Sequence, residues 1–192
     1  MDHKLALSNF ENALKRHINI FYEVSKLREQ VVTLFNDIRK TIESNGKILL
    51  LGNGGSAADS QHIAAEMIVK YNKERKPLRA LALTTDTSIL TAHANDFNFD
   101  TIFNRQILAL GESNDLLLTF STSGNSKNVI NAIQTAKSKD IKCWALTNSD
   151  GGKLNTLDIS LIKCPSTETA RVQEVHIFIC HWICELLDEY YS

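Results

Sequence analysis

Proline is scarce in this chain, two in 192 residues, and no stretch is rich in proline or glycine. Nothing therefore marks a linker, and the length suits a single domain, residues 1–192, around one sizeable core. Low-complexity tracts and clear repeats are also missing. An excess of one charge is lacking too: 21 Lys and Arg stand against 22 Asp and Glu, a net charge of −1. With no broad basic field to hold a phosphate backbone, no nucleic-acid partner is expected. Long apolar runs are absent. The opening "MDHKLALSNFENALKRH" is interrupted by charge and has no apolar signal core, and no later segment is long and apolar enough to span a bilayer. The expectation is a cytoplasmic protein with no membrane partner. Cysteine is sparse, and Cys143, Cys164, Cys180 and Cys184 form no C-x-x-C pair. In a reducing compartment they read as small core residues. The alternative, a metal cluster of Cys180, Cys184 and nearby His, fits no common zinc spacing.

What the chain does have is periodicity. Residues 3–45 read as helical throughout, with Ile18, Phe21, Val24, Leu27, Val31, Leu34 and Ile38 recurring at steps of three and four to build one apolar stripe. Gly46 is a plausible helix stop. Beyond it, short apolar runs alternate with longer amphipathic ones. "KILLLG" (47–52), "LRALAL" (78–83), "DLLLTFS" (115–121), "KCWALT" (142–147) and "DISLIK" (158–163) predict strands. Helices are predicted near 56–71, 87–94, 100–110, 125–139 and 167–191, and the link 150–156 is short enough to hold only a turn. Nearly continuous apolar strands separated by helices indicate a parallel sheet covered on both faces. The expected fold is a doubly wound α/β domain with a helical N-terminal extension, residues 1–45. That extension is expected to pack on another subunit, with an extra layer on its own domain as the alternative.

In such a sheet, ligands bind beyond the carboxyl ends of the strands. "GNGGS" follows the first strand, "STSGNS" the third and "TNSDGG" the fourth. "STSGNS" gathers Ser121, Thr122, Ser123 and Ser126 around Gly124, with Lys127 next in line. Hydroxyls, inward-facing amides and the start of a helix form a phosphate cradle. A hydroxyl-rich turn with a helix cap is the plainer alternative. "GNGGSA" also fits G-x-G-x-x-A, the dinucleotide fingerprint, but the acidic residue that should close the second strand comes late, at Asp86. There is no G-K-[ST]. Two hydroxyl-lined loops make sense if one small phosphorylated ligand is gripped from both sides.

His62 and Glu66 stand four apart on the helix leaving the first loop, so they share a face. On the last helix Gln173 and His181 stand eight apart on roughly one side. Two imidazoles, a carboxylate and an amide oxygen suit a divalent metal such as zinc. Taken singly, each His has a plainer reading as a hydrogen-bonded side chain in a helix interface. Eight helical residues rise about 12 Å, so one straight helix barely brings Gln173 and His181 to one ion. Either the two reach toward each other at full stretch, or the site joins helices from different subunits, which is the expectation.

Together, "GNGGSAADSQHIAAE", "STSGNSKNV", "ANDF" (94–97) and "TARVQEVHIFICHWICELLD" (169–188) resemble the sugar isomerase (SIS) domain family, and within it the bacterial phosphoheptose isomerases. The likeness runs over nearly the whole chain. It implies a homotetramer, a five-stranded parallel sheet, active sites between subunits, and conversion of sedoheptulose 7-phosphate to D-glycero-D-manno-heptose 7-phosphate on the way to lipopolysaccharide or capsule. The family's substrate contacts carry over onto Asn53, Gly54, Gly55, Ser56, Glu66, Asn95, Asp96, Ser121, Thr122, Ser123, Ser126, Thr169 and Gln173. Its zinc ligands, one ion per active site, carry over onto His62, Glu66, Gln173 and His181. One departure is Lys70, where relatives often carry Arg; Lys lacks the planar fork.

Moving a proton between adjacent carbons requires a base over the C–H bond, an acid at the carbonyl and a stabiliser of the developing oxyanion. Glu66 is the expected base and His181 its partner for the second proton. The resemblance leaves one alternative of another class, a non-catalytic SIS-type phosphosugar-binding protein associating with the replication initiator DnaA. That reading gives His62, Glu66, Gln173 and His181 no chemical task.

Overall fold

The computed structural model describes residues 2–192. Helix α1 (His3–Val24) opens on Asp2, whose side chain accepts from the Lys4 amide, and passes through one 3₁₀ turn (Ser25–Leu27) into α2 (Arg28–Glu43). The predicted continuous helix is thus bent at a tighter turn, where the Ser25 hydroxyl donates to the Tyr22 carbonyl at 2.8 Å. Strands β1 (Ile48–Gly52), β2 (Ala80–Ala82), β3 (Leu116–Ser121), β4 (Lys142–Thr147) and β5 (Ser160–Lys163) form one parallel sheet in the order β2-β1-β3-β4-β5. Between them run α3 (Gly55–Ile68), α4 (Thr87–Asp96), α5 (Asn104–Leu110) and α6 (Lys127–Lys137), and α7 (Thr169–Tyr191) closes the chain. All five predicted strands are present. The two edge strands are shorter than their apolar runs, because each has a neighbour on one side only. The predicted 100–110 helix divides into a 3₁₀ turn (Phe99–Thr101) and α5, and the 150–156 link holds a 3₁₀ turn (Gly152–Thr156) rather than a bare turn.

The strand pattern explains the layers. Ile48, Leu50, Leu116, Leu118 and Phe120 face one side with Leu34 and Ile38 of α2, Ile63 and Met67 of α3 and much of α7. Leu49, Leu51 and Leu117 face the other side, against Ile107 of α5 and Val129 and Ile133 of α6. Side chains alternate across a strand, so a run apolar at every position must be covered twice. Burial of each Leu or Ile contributes about 1.5–3 kcal/mol before entropic costs. Helix α2 is therefore a layer of its own domain. Helix α1 buries only Val24 and leaves Leu7, Phe10 and Leu14 exposed. All four cysteines are buried and free, and burial pushes the Cys184 thiol up to about 12, so they serve as core residues. Among the described residues no helix is long and apolar enough to cross a membrane.

Candidate active site

The strand order reverses between β1 and β3, and the loops leaving these two neighbours open the crevice where ligands of such sheets collect. After β1, Gly54 adopts φ +55°, which favours glycine, and caps α3 with no side-chain bond. In the first turn of α3 the Ser56 amide donates to the Asn53 carbonyl and the Ala57 amide to that of Gly54, each at 3.0 Å. Gly55 has a different constraint: a Cβ there would lie 2.4 Å from Nε2 of Gln173, so only glycine lets α7 bring that amide against the loop. Ser56 is buried beneath the turn.

After β3, Ser121 is buried, Thr122 and Ser126 are half-buried and Ser123 is exposed. Ser126 precedes α6 without capping it, and its hydroxyl stands 3.5 Å from that of Ser121. Uncapped helix amides with hydroxyls beside them can receive a phosphate. The loop is braced from outside by "TNSDGG". Gly124, at φ +65°, packs where a Cβ would lie 2.2 Å from the Gly151 carbonyl. The Leu154 amide donates to the Gly124 carbonyl, and the Lys153 amide to Oδ1 of Asn125. Lys127 is turned toward Asp100, Nζ to Oδ2 3.5 Å.

The dinucleotide alternative loses its acidic ligand here. Asp86 caps α4, its Oδ1 accepting from the Ile89 amide at 2.9 Å. Gln61 is likewise occupied, donating to the carbonyl of Thr84 at the end of the second strand.

The second feature lies along α3 and α7. Nε2 of His62 stands 3.0 Å from Nε2 of His181 and 3.3 Å from Oε1 of Glu66. Within one protomer all three groups already meet. The physical reason is register: α7 lies along α3 with Gln173 level with Gly55 and His181 level with His62. Gln173 therefore stands against the loop. Burial lowers the pKa of His181, the facing His62 lowers it further, and Glu66 opposes both. Burial also raises that of Asp59, against a hydrogen bond from Gln173 and the charge of His62.

Among the described residues no group of three His, Cys, Asp or Glu side chains is placed to hold a metal ion. The trio is closed on itself. Ligands of one tetrahedral zinc, with bonds of about 2.0–2.1 Å, stand roughly 3.3–3.4 Å apart. The 3.0 Å between His62 and His181 and the 3.3 Å between His62 and Glu66 fall short of that by a few tenths at most, so these two donor pairs are close to the spacing a divalent ion needs.

Other expected contacts are more scattered. Thr169 is exposed at the start of α7, and Lys70 is exposed just beyond α3. Asn95 and Asp96 end α4, bonded to each other. Asp96 lines a separate groove of about 550 Å³ with His93, Phe97 and Arg105, away from the trio. Three residues escaped the sequence reading. Tyr71 places its ring 5.4 Å from that of His181. Asn128 pairs with Asn53. Arg75 reaches the backbone of Glu66.

Comparison with known proteins identifies the family. A family model described as SIS domain matches residues 13–148. The chain is 44% identical over 189 residues to a phosphoheptose isomerase of Chromohalobacter salexigens, covering 94% of this chain and 96% of that protein. It is 45% identical over 179 residues to one of Campylobacter jejuni, covering 93% and 96%. Among solved structures, a phosphoheptose isomerase of Neisseria gonorrhoeae superposes with a TM-score of 0.89 at 42% identity, covering 96% of this chain and 99% of that one. One from Francisella tularensis superposes with a TM-score of 0.92 at 32% identity, covering 96% and 98%.

Proposed function

Because this chain belongs to the SIS-domain family, among its phosphoheptose isomerases, we propose that it isomerises sedoheptulose 7-phosphate to D-glycero-D-manno-heptose 7-phosphate. The product feeds heptose synthesis for lipopolysaccharide or capsule, in the cytoplasm. The observation that carries the reading is the meeting of His62 and Glu66, on the helix that starts in a phosphate-type loop, with His181 of α7. His62 lies seven residues beyond Gly55, a rise of about 10 Å, on the order of the length of an extended sugar phosphate of this size. Side chains on α3 lean toward its N-terminus, and hence toward the loop.

The phosphate is held by the hydroxyls of Ser121, Thr122, Ser123 and Ser126 and by the uncapped start of α6, with Asn53, Gly54, Gly55 and Ser56 on the opposite side. Fixing that end orients the reacting carbons. Asn95, Asp96, Thr169 and Gln173 contribute further substrate contacts by the family's pattern. Glu66 removes the C1 proton of the ketose while an acid protonates O2, giving the enediol. His181 moves the remaining proton from O1, and C2 is reprotonated to yield the aldose. His62, Glu66 and His181 would hold a zinc ion, with Gln173 as the family's further ligand. When bound, the ion supplies Lewis-acid polarisation of the carbonyl and its neighbouring hydroxyl. The exposed stripe of α1 supports assembly of the chain, as one SIS domain, into a homotetramer.

The test is purified protein with sedoheptulose 7-phosphate, before and after chelation, with the product identified by NMR. Aldose formation that falls on chelation and returns with zinc is expected. Glu66→Gln should keep substrate binding and lose most turnover. No aldose from the wild-type protein, with or without zinc, would overturn the reading.

A further inference from the structure

We propose that Arg75 and Asp188 are positioning residues that set the height of Glu66 against His181, an inference that rests on reading those two as the proton-transfer pair. Glu66 sits in a weak place. Helix α3 ends at Ile68, two residues further on, and the last carbonyls of a helix have no partner within it. The Arg75 guanidinium takes two of them: Nη2 donates to the carbonyl of Glu66 itself and Nη1 to that of Met67, each at 2.8 Å. Nη1 also donates to the Lys76 carbonyl at 3.1 Å, which holds the fork in plane with its own loop.

The remaining contact of the fork crosses to the other helix. Nε donates to Oδ1 of Asp188 at 2.9 Å. The second oxygen of Asp188 accepts from the backbone amides of Asn72 at 2.6 Å and Lys73 at 2.7 Å. Asp188 follows His181 by seven residues, two helical turns, so both face α3. The same loop sets Tyr71 against the His181 ring. Loop 69–79 thus ties the turn carrying the base to the helix carrying its partner.

A staple between two helices does not need this chemistry. The Arg75 and Asp188 side chains are 0% and 1% exposed, and a buried ion pair often holds helices no better than apolar residues of the same size. The guanidinium adds direction, because its planar fork fixes three carbonyls and one carboxylate at once. A misplacement of about 1 Å in a reacting group can cost about a hundredfold in rate.

The test uses the full chain as Arg75→Lys and Asp188→Asn, beside wild type and Glu66→Gln. It measures kcat and KM for sedoheptulose 7-phosphate well below the melting temperature, and amide hydrogen exchange over 62–69 and over β4. Lys keeps the charge and loses the fork. We expect kcat to fall by about ten- to a hundredfold with KM changed less than about threefold. Exchange protection should be lost over 62–69 and kept over β4. Wild-type kcat in both variants overturns the proposal. So does a loss of kcat accompanied by equal loss of protection in β4, which marks a general staple. If the wild-type protein does not isomerise the sugar, the functional reading fails separately. The clamp is then judged by exchange: protection kept over 62–69 in Arg75→Lys refutes it, and selective loss sustains it.

Discussion

Asn53 and Asn128 exchange two amide hydrogen bonds, each 2.8 Å, and so join the loop after β1 to the first turn of α6 after β3. The two phosphate-type loops are therefore held at one spacing by a side-chain pair. Asn128 is 2% exposed, and its Oδ1 also accepts from the Val129 amide. Replacing Asn128 by Leu leaves the Asn53 amide without its partner. A loss of about 1–3 kcal/mol in stability is expected, with a rise in KM for the sugar phosphate larger than the fall in kcat. Denaturant melts and steady-state kinetics on the same preparation check both; an unchanged KM would show that the pair does not set the loop spacing.

How far the sequence discloses such features depends on the distance between the partners. The five strands, the flanking helices and the two loops are legible because each is written in a local run or turn. The shared face of His62 and Glu66 is legible for the same reason. Asn128 is not, since an Asn in the first turn of a helix looks ordinary and its partner lies 75 positions away. Arg75 and Asp188 read separately as a surface cation and a helix-end acid, and only the fold buries them together. The register of α7 on α3 is a packing outcome, so the meeting of His62 and His181 within one chain is not written in any local run.

His176 lies on α7 with 0% exposure, its ring centroid 5.9 Å from that of Phe120. Among the described residues neither ring nitrogen meets the geometry of a full hydrogen bond, although the Thr147 backbone is near enough to interact. Burial lowers its pKa from 6.5 to about 4, against a smaller upward pull from the Thr147 backbone. The folded form thus stays neutral over a range where the unfolded chain binds a proton. Stability is whole above pH 6.5 and declines as pH falls from 6.5 toward 4. The full loss is about 3 kcal/mol, at about 1.4 kcal/mol per pH unit. His176→Phe should flatten that slope, as read from guanidinium melts at pH 7 and pH 5; an unaltered slope would assign the acid sensitivity elsewhere.

Helix α1 exposes Leu7, Phe10 and Leu14 at 53%, 69% and 47%, spaced three and four apart along one stripe. Beside the α1–α2 junction, Phe21, Val24, Val31, Phe178 and Trp182 line an apolar groove of about 330 Å³. Apolar surface of this kind is normally covered by a partner. Phe10→Asp should shift the protein from the proposed tetramer to smaller species in light scattering after size exclusion. It should cost less than about 0.5 kcal/mol in unfolding of the isolated protomer, because Phe10 is largely exposed within its own fold. An unchanged mass would place the subunit contact on another face.

The His62–His181 contact also fixes what mixed assemblies can do. A trio drawn from two subunits predicts that His62→Ala and His181→Ala chains, unfolded and reassembled together, recover roughly a quarter of wild-type activity, the random-pairing share for sites whose partners come from different chains. A trio drawn from one chain predicts none, because every copy then lacks one ring. The rings meet at 3.0 Å inside a single protomer, and Glu66 reaches the same nitrogen of His62 at 3.3 Å. The expected outcome is that mixed oligomers remain as inactive as either parent, while wild-type chains carried through the same treatment regain activity. Recovery near the random-pairing share would mean that α7 of a neighbour displaces the contact seen within the chain, and the assignment of His181 to its own His62 would have to be abandoned.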